Sequence, residues 1–318
     1  MIPKSRAPRR RRGQTLHPQS PTGPARTGLR LGIAATVAVV AVGAVVFALT
    51  RDDRDSAGPV DQANEPGVAH VHGLGVNPAD GALFVATHFG MFRIAGDGPA
   101  ERVGDSFQDT MGFTVTGPDR FLGSGHPDLD GVADGLPGRL GLIESTDAAG
   151  TWAPLSLSGD ADFHGLTAVH EQVYGWDAGS GRFMVSADRQ EWDIRSTIDL
   201  FGFAVDPEDP DLILGATPDG LVESTDGGRT WDATDGPAAV TVAWDATTGQ
   251  WAIDETGTVF HVEDGDWRPV GSLPGTPQAL LATADSLYAA AVGTDGATGI
   301  YRSTDGADWR LLYQDDPP

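Results

Sequence analysis

The 318-residue chain contains no cysteine. That excludes disulfides, thiolate metal sites, cysteine nucleophiles and a lipid anchor built on cysteine. Lysine is nearly absent as well: Lys4 is the only one, which removes lysine-based catalysis from everything beyond the N-terminal tail. Basic residues in general are scarce, 21 Lys and Arg against 45 Asp and Glu, for a net charge of −24. The shortage is uneven. Residues 1–50 carry eight basic residues and no acid, a charge of +8, so the remainder carries −32. A body that acidic lacks the clustered Lys and Arg that phosphate attraction needs, which argues against nucleic acid and anionic membrane surfaces as its partners. What it has in quantity is turn formers, 43 Gly and 22 Pro, beside 40% hydrophobic residues. The expectation is a true core made of many short elements.

Residues 31–50, LGIAATVAVVAVGAVVFALT, contain no charged residue. Twenty apolar residues in a helix span about 30 Å of hydrocarbon, so a transmembrane anchor is expected here. Arginines precede it and Asp52, Asp53 and Asp55 follow, which predicts a cytoplasmic N-terminus and an exported body by the positive-inside rule. The alternative is secretion after signal cleavage near Val46-Phe47-Ala48, although the apolar stretch is long for a signal peptide. Residues 1–30 are expected to form a disordered basic cytoplasmic tail, and 51–66 a polar linker.

The body repeats itself. Tryptophans fall at Trp152, Trp192, Trp231, Trp267 and Trp309, at intervals of 40, 39, 36 and 42 residues. Four close related strings: STDAAGTW (145–152), SADRQEW (186–192), STDGGRTW (224–231) and STDGADW (303–309), with VEDGDW as a worn fifth. A short apolar run precedes each, and two more lie upstream, with turn signals such as NPADG and TPDG between them. Each unit therefore reads as four strands, and six units fit between residues 67 and 316. A fixed period of this kind predicts an all-β, six-bladed β-propeller with four-stranded blades, in which neighbouring blades bury both faces of each small sheet.

The strings resemble the Asp-box of the BNR repeat, S-x-D-x-G-x-T-W, found in sialidases, sortilin-type receptors and photosystem-assembly propellers. The copy Ser224, Asp226, Gly228, Trp231 matches fully. That of Ser145, Asp147, Trp152 has Ala149 in place of the glycine, and those of Ser186, Asp188, Trp192 and Ser303, Asp305, Trp309 are one residue short. The resemblance implies the propeller fold and a structural role for these residues, with the Asp accepting hairpin N–H groups and the Trp packing inward. It does not imply one activity, because the family spans hydrolases, receptors and assembly factors.

The histidines are distributed with more bias. Outside the tail there are seven, and five fall where the topology predicts one face: His70 and His72 at the entry of the first unit, His164 at that of the third, His88 and His126 at the ends of second strands. Aligned first strands VHGL, TMGF, FHGL and LFGF put His72, Met111, His164 and Phe201 at one position, followed by Val240 and Gln278. Two residues earlier stand His70, Asp109, Asp162 and Asp199, and strand alternation would place them on the same side. The expected site is a channel mouth where His70, His72, His88, Asp109, Met111, His126, His164 and Trp176 bind a ligand. Imidazole with carboxylate suits zinc, and imidazole with thioether suits copper, so His70, His72, His164 and Met111 are the metal candidates. Trp176 beside Asp177 would suit a sugar platform. The segment DLDGVAD (128–134) has an Asp-x-Asp-Gly order similar to the start of a calcium loop, but lacks the later ligands. A solvated acidic loop over the mouth is expected there.

Sialidases clamp a carboxylate with three arginines, and this body has none at the aligned positions, where acids stand instead. A different glycoside hydrolase needs only two carboxylates, for which Asp128, Asp162 and Asp177 are the candidates. A protein-docking scaffold would show an exposed apolar patch. The expected function is binding of a small ligand, metal ion or metal-bearing extracytoplasmic partner at the His-rich mouth, with hydrolase and scaffold as alternatives.

Overall fold

A computed structural model describes residues 67–315, which form six four-stranded antiparallel sheets. The first comprises β1 (Val71–Val76), β2 (Leu83–Thr87), β3 (Gly90–Ile94) and β4 (Ala100–Val103). The second comprises β5 (Asp109–Gly117), β6 (Arg120–His126), β7 (Leu142–Ser145) and β8 (Ala153–Ser156), with a one-turn helix α1 (Leu129–Ala133) between β6 and β7. The third is β9 (Phe163–Val169), β10 (Gln172–Asp177), β11 (Arg182–Ser186) and β12 (Asp193–Thr197). The fourth is β13 (Gly202–Val205), β14 (Ile213–Thr217), β15 (Gly220–Ser224) and β16 (Asp232–Ala233). The fifth is β17 (Ala239–Asp245), β18 (Gly249–Asp254), β19 (Thr258–Glu263) and β20 (Asp266–Ser272). The sixth is β21 (Thr276–Ala282), β22 (Leu287–Val292), β23 (Thr298–Ser303) and β24 (Arg310–Gln314).

Alternation along the strands explains the ring. In β2, Leu83 and Val85 face the sixth blade while Phe84 and Ala86 face the second. The same division recurs in every blade, so the core consists of six apolar clusters, one at each interface. Innermost strands touch in order around the circle, and β1 meets β21 to close it. Closure is by packing, since all four strands of the sixth blade are consecutive in sequence. Val68 joins the cluster shared by blades one and six, and a Cβ on Gly67 would collide with Asp315.

The repeated strings form the hairpins between third and fourth strands. Asp226 accepts N–H groups from Arg229 at 3.0 Å and Thr230 at 2.9 Å, and the Thr230 hydroxyl at 2.7 Å. Asp147 does the same with Thr151 N and Oγ1. Asp188 accepts from Gln190 and Glu191, and Asp305 from Ala307 and Asp308. The indole N–H of Trp231 reaches Ser196, and that of Trp192 reaches Ser156. Where the full copy has Gly228 at φ +86°, the copy at 145 keeps Ala149 in the same left-handed region at φ +68°.

The expected tail, anchor and linker (1–30, 31–50 and 51–66) lie outside the described residues. Among the described residues no helix is long and apolar enough to cross a membrane.

Candidate functional site

Entry to the first strand and the turn from second to third strand share one end of each blade, the end away from the hairpins. At that end the innermost strands carry a recurring irregularity. In β1 the register steps from Val71 to Gly73, in β5 from Thr110 to Gly112, in β17 from Ala239 to Thr241 and in β21 from Pro277 to Ala279. In β9 it steps from Phe163 to Gly165. The residue skipped each time is His72, Met111, Val240, Gln278 or His164. A β-bulge leaves such a residue outside the ladder and re-aims its side chain. His72, His164, Val240 and Gln278, with Phe201 just before β13, line a central cavity of about 600 Å³.

The bulges correct one expectation. The extra residue interrupts the alternation that sets residues two apart on a common face, although Asp162 and His164 still meet, Oδ2 to Nε2 at 3.2 Å. His70 is not extended at all: it lies before β1 at φ +54°. His72 instead meets Asp109 of the next blade, Nε2 to Oδ1 at 3.2 Å. His88, just past β2, donates from Nδ1 to Asp109 Oδ2 at 2.9 Å. In the next pair of blades, His164 Nε2 lies 3.2 Å and His126 Nε2 3.5 Å from Asp162 Oδ2. The structure thus divides the residues between two groups, His72–His88–Asp109 and His126–His164–Asp162, each with donor atoms within 4.8 Å of one another. They adjoin through blade two, where Asp109 and His126 are paired across β5 and β6. Met111 is half-buried on the β5 bulge and belongs to neither, and Asp199 stands exposed outside both.

Several polar atoms here are buried with no hydrogen bond. His72 Nε2 and Asp109 Oδ1 are close but not aligned as donor and acceptor, and Asp162 Oδ1 has no partner. The His72 side chain is only 9% exposed. Leaving such atoms bare costs about 1–3 kcal/mol each unless something satisfies them. His126 donates Nδ1–H to the Gly138 carbonyl at 2.7 Å, which fixes the ring with Nε2 facing Asp162. The backbone of Asp162 is fixed in turn, its N–H given to Asp177 Oδ1 at 3.0 Å. Burial alone would raise the Asp109 carboxyl, but the His72 and His88 imidazoles beside it hold it well below the usual range. The hydrogen bond to Asp109 raises His88, while burial and the neighbouring imidazoles His72 and His88 push His70 down. His70 packs edge-on to His72 with ring centres 4.8 Å apart, behind the first group.

Gly125 is required by the same packing. It sits at φ +142°, and a Cβ there would fall 1.9 Å from the Asp109 carbonyl oxygen.

Three expected residues have other work. Trp176 is buried between blades three and four with its indole N–H bonded to the Ile198 carbonyl, so it offers no sugar platform; its ring backs His164 instead. Asp177 is fully buried and accepts from Asp162 N, Gly179 N, Ser180 Oγ and Arg182 Nη2, which leaves no oxygen for catalysis. Asp128 caps α1 through Gly131 N and takes Ser106 Oγ and Phe107 N on its other oxygen. The expected acidic loop is therefore a capped helical turn. Sequence reading missed the Gly138 carbonyl and the pairing of each carboxylate with histidines from two strands; the glycine and proline in LPGR marked only a turn.

No protein-family model matches the sequence, and no curated protein matches it. Among solved structures, a chain of the nidogen/laminin complex is 13% identical, with a TM-score of 0.55 over 73% of this chain and 97% of that one. YCF48 bound to D1 peptide is 11% identical, with a TM-score of 0.50 over 77% and 83%. An ancestral GH74 enzyme is 13% identical with a TM-score of 0.49; 80% of this chain spans 39% of that enzyme's length. The likeness is one of fold alone. It supports a propeller and leaves the mouth to be read from its own residues.

Proposed function

We propose that the mouth of this propeller binds divalent transition-metal ions, one in each His₂Asp group, in an extracytoplasmic protein tethered through residues 31–50. The observation that carries the reading is the set of buried, unbonded donor atoms at His72, Asp109 and Asp162. An ion in the first group would bridge His72 Nε2 and Asp109 Oδ1, which stand 3.2 Å apart without a hydrogen bond, and a second ion would take up the Asp162 carboxylate. Two imidazoles and one carboxylate suit zinc, and three protein ligands leave an open position toward the channel. Copper is the second choice, because Met111, the thioether that would favour it, belongs to neither group. At His126 the Nδ1–H bond to Gly138 supplies the outer contact that orients metal-bound imidazoles. At His88 an ion would replace the proton now shared with Asp109.

Equilibrium dialysis of the full chain in detergent against zinc, followed by elemental analysis, tests this. The expected stoichiometry is about two ions per chain, one for each group. His72→Ala/His164→Ala should lose both ions and the zinc-dependent rise in Tm that ligand binding brings. Equal and negligible zinc and copper in both proteins would end the proposal.

Of the carboxylates a glycoside hydrolase could use, Asp128 and Asp177 are committed to hydrogen bonds elsewhere, and Asp162 is already faced by imidazoles. The docking reading has one observation in its favour: Leu129, Val132 and Leu136 are exposed on the β6–β7 segment, next to Phe107. Capture of an extracytoplasmic protein that Leu129→Glu/Val132→Glu abolishes would support it.

A further inference from the structure

We infer that the channel mouth takes a small amphipathic organic molecule, which chelates a mouth ion through oxygen donors and lays an apolar ring against Phe201. The inference rests on the metal reading above and adds the class of ligand. The positions that line the cavity at the mouth are divided: blades one and three present His72 and His164, while blades four to six present Phe201, Val240 and Gln278. In a six-bladed circle the fourth blade opposes the first and adjoins the third. Phe201 therefore stands across the mouth from His72 and beside His164. Gln278 is occupied, accepting Val71 N–H at 3.0 Å, so the polar end of the apolar half is closed off.

Phe201 is anomalous among the aromatic residues. Phe84, Phe121, Phe163 and Phe183 are fully buried, each packed against another ring, whereas Phe201 is 55% exposed and packs against none among the described residues. A large apolar side chain left open at the rim of a cavity, opposite polar donors, matches the usual make-up of a small-molecule site. The cavity of about 600 Å³ has room for such a molecule. An open coordination position on each ion would accept its donor atoms. The acids at the mouth disfavour a freely anionic ligand, so the donor group is one that ionises on the metal.

Two probes with one chelating group separate the parts of this inference: benzohydroxamate, which carries a ring, and acetohydroxamate, which does not. Titrated into the zinc-loaded full chain, benzohydroxamate should bind about tenfold tighter. Phe201→Ala should weaken benzohydroxamate about three- to tenfold, leave acetohydroxamate unchanged and keep the zinc stoichiometry. Zinc bound with no preference between the probes, or a preference that Phe201→Ala leaves intact, would overturn this inference alone. Failure of zinc to bind would overturn the metal reading and this inference with it.

Discussion

The two ends of each blade use aspartate in opposite ways. At the hairpin end Asp147 and Asp226 take all their hydrogen bonds from groups within four residues, and those bonds close a turn. At the mouth Asp109 faces His72 and His88 of the neighbouring blade, Asp162 faces His126 of the neighbouring blade as well as His164 of its own, and each keeps one buried oxygen without a hydrogen bond. A carboxylate saturated by its own turn stabilises the chain and has nothing left to offer a ligand. One surrounded by imidazoles and left partly bare still has an oxygen to offer, which is what the proposed metal reading uses. The number of acids therefore says little about function, and the origin of their partners says much.

Substitutions at the two ends should separate accordingly. The largest effect is expected from Gly125→Ala at the mouth, where a methyl group would strike the Asp109 carbonyl; it should cost roughly 3 kcal/mol and reduce zinc binding at the first group, read by urea denaturation and dialysis together. Ser224→Ala at the hairpin end strands the buried Gly228 N–H, for a loss of about 2 kcal/mol with zinc stoichiometry intact. A change in stoichiometry there would undo the contrast between the ends. Ala149→Gly should change stability by less than about 1 kcal/mol, because relief of a left-handed alanine is offset by loss of a methyl buried between blades one and two, again without effect on zinc.

The smallest effect concerns acid. The Thr230 hydroxyl and backbone hold the Asp226 carboxyl down to about 2 from its ordinary 3.8. A folded-state value below the unfolded one stabilises fully above pH 3.8 and is lost as pH falls through about 2. Melting of zinc-free Asp226→Asn between about pH 2 and 5 should therefore fall less steeply with acid than that of the parent chain. An unchanged slope would mean that the hairpin bonds do not bias the carboxyl.

The blades were legible in the sequence because the pattern that encodes them is local. A strand, a turn and a Trp-closed hairpin recur every forty residues or so, and β2, buried on both faces, reads as the continuous run LFVAT. The convergence of His72, His88, His126 and His164 on one end was legible too, since it follows from strand direction. Their partition into two groups was not. It depends on bulges at His72 and His164, which insert a residue without any marker in composition, and on contacts between blades that no spacing along the chain records. Asp128, Asp177 and Trp176 misled for a related reason: exposure of a loop can be guessed from sequence, but the hydrogen bonds that occupy a side chain cannot.

The most direct measurement is an anomalous difference map at the zinc edge from crystals of the zinc-loaded protein. The proposed metal reading predicts two peaks at the mouth, one between His72, His88 and Asp109 and one between His126, His164 and Asp162. A map with no peak at either group, or with zinc only on the hairpin carboxylates, would contradict it.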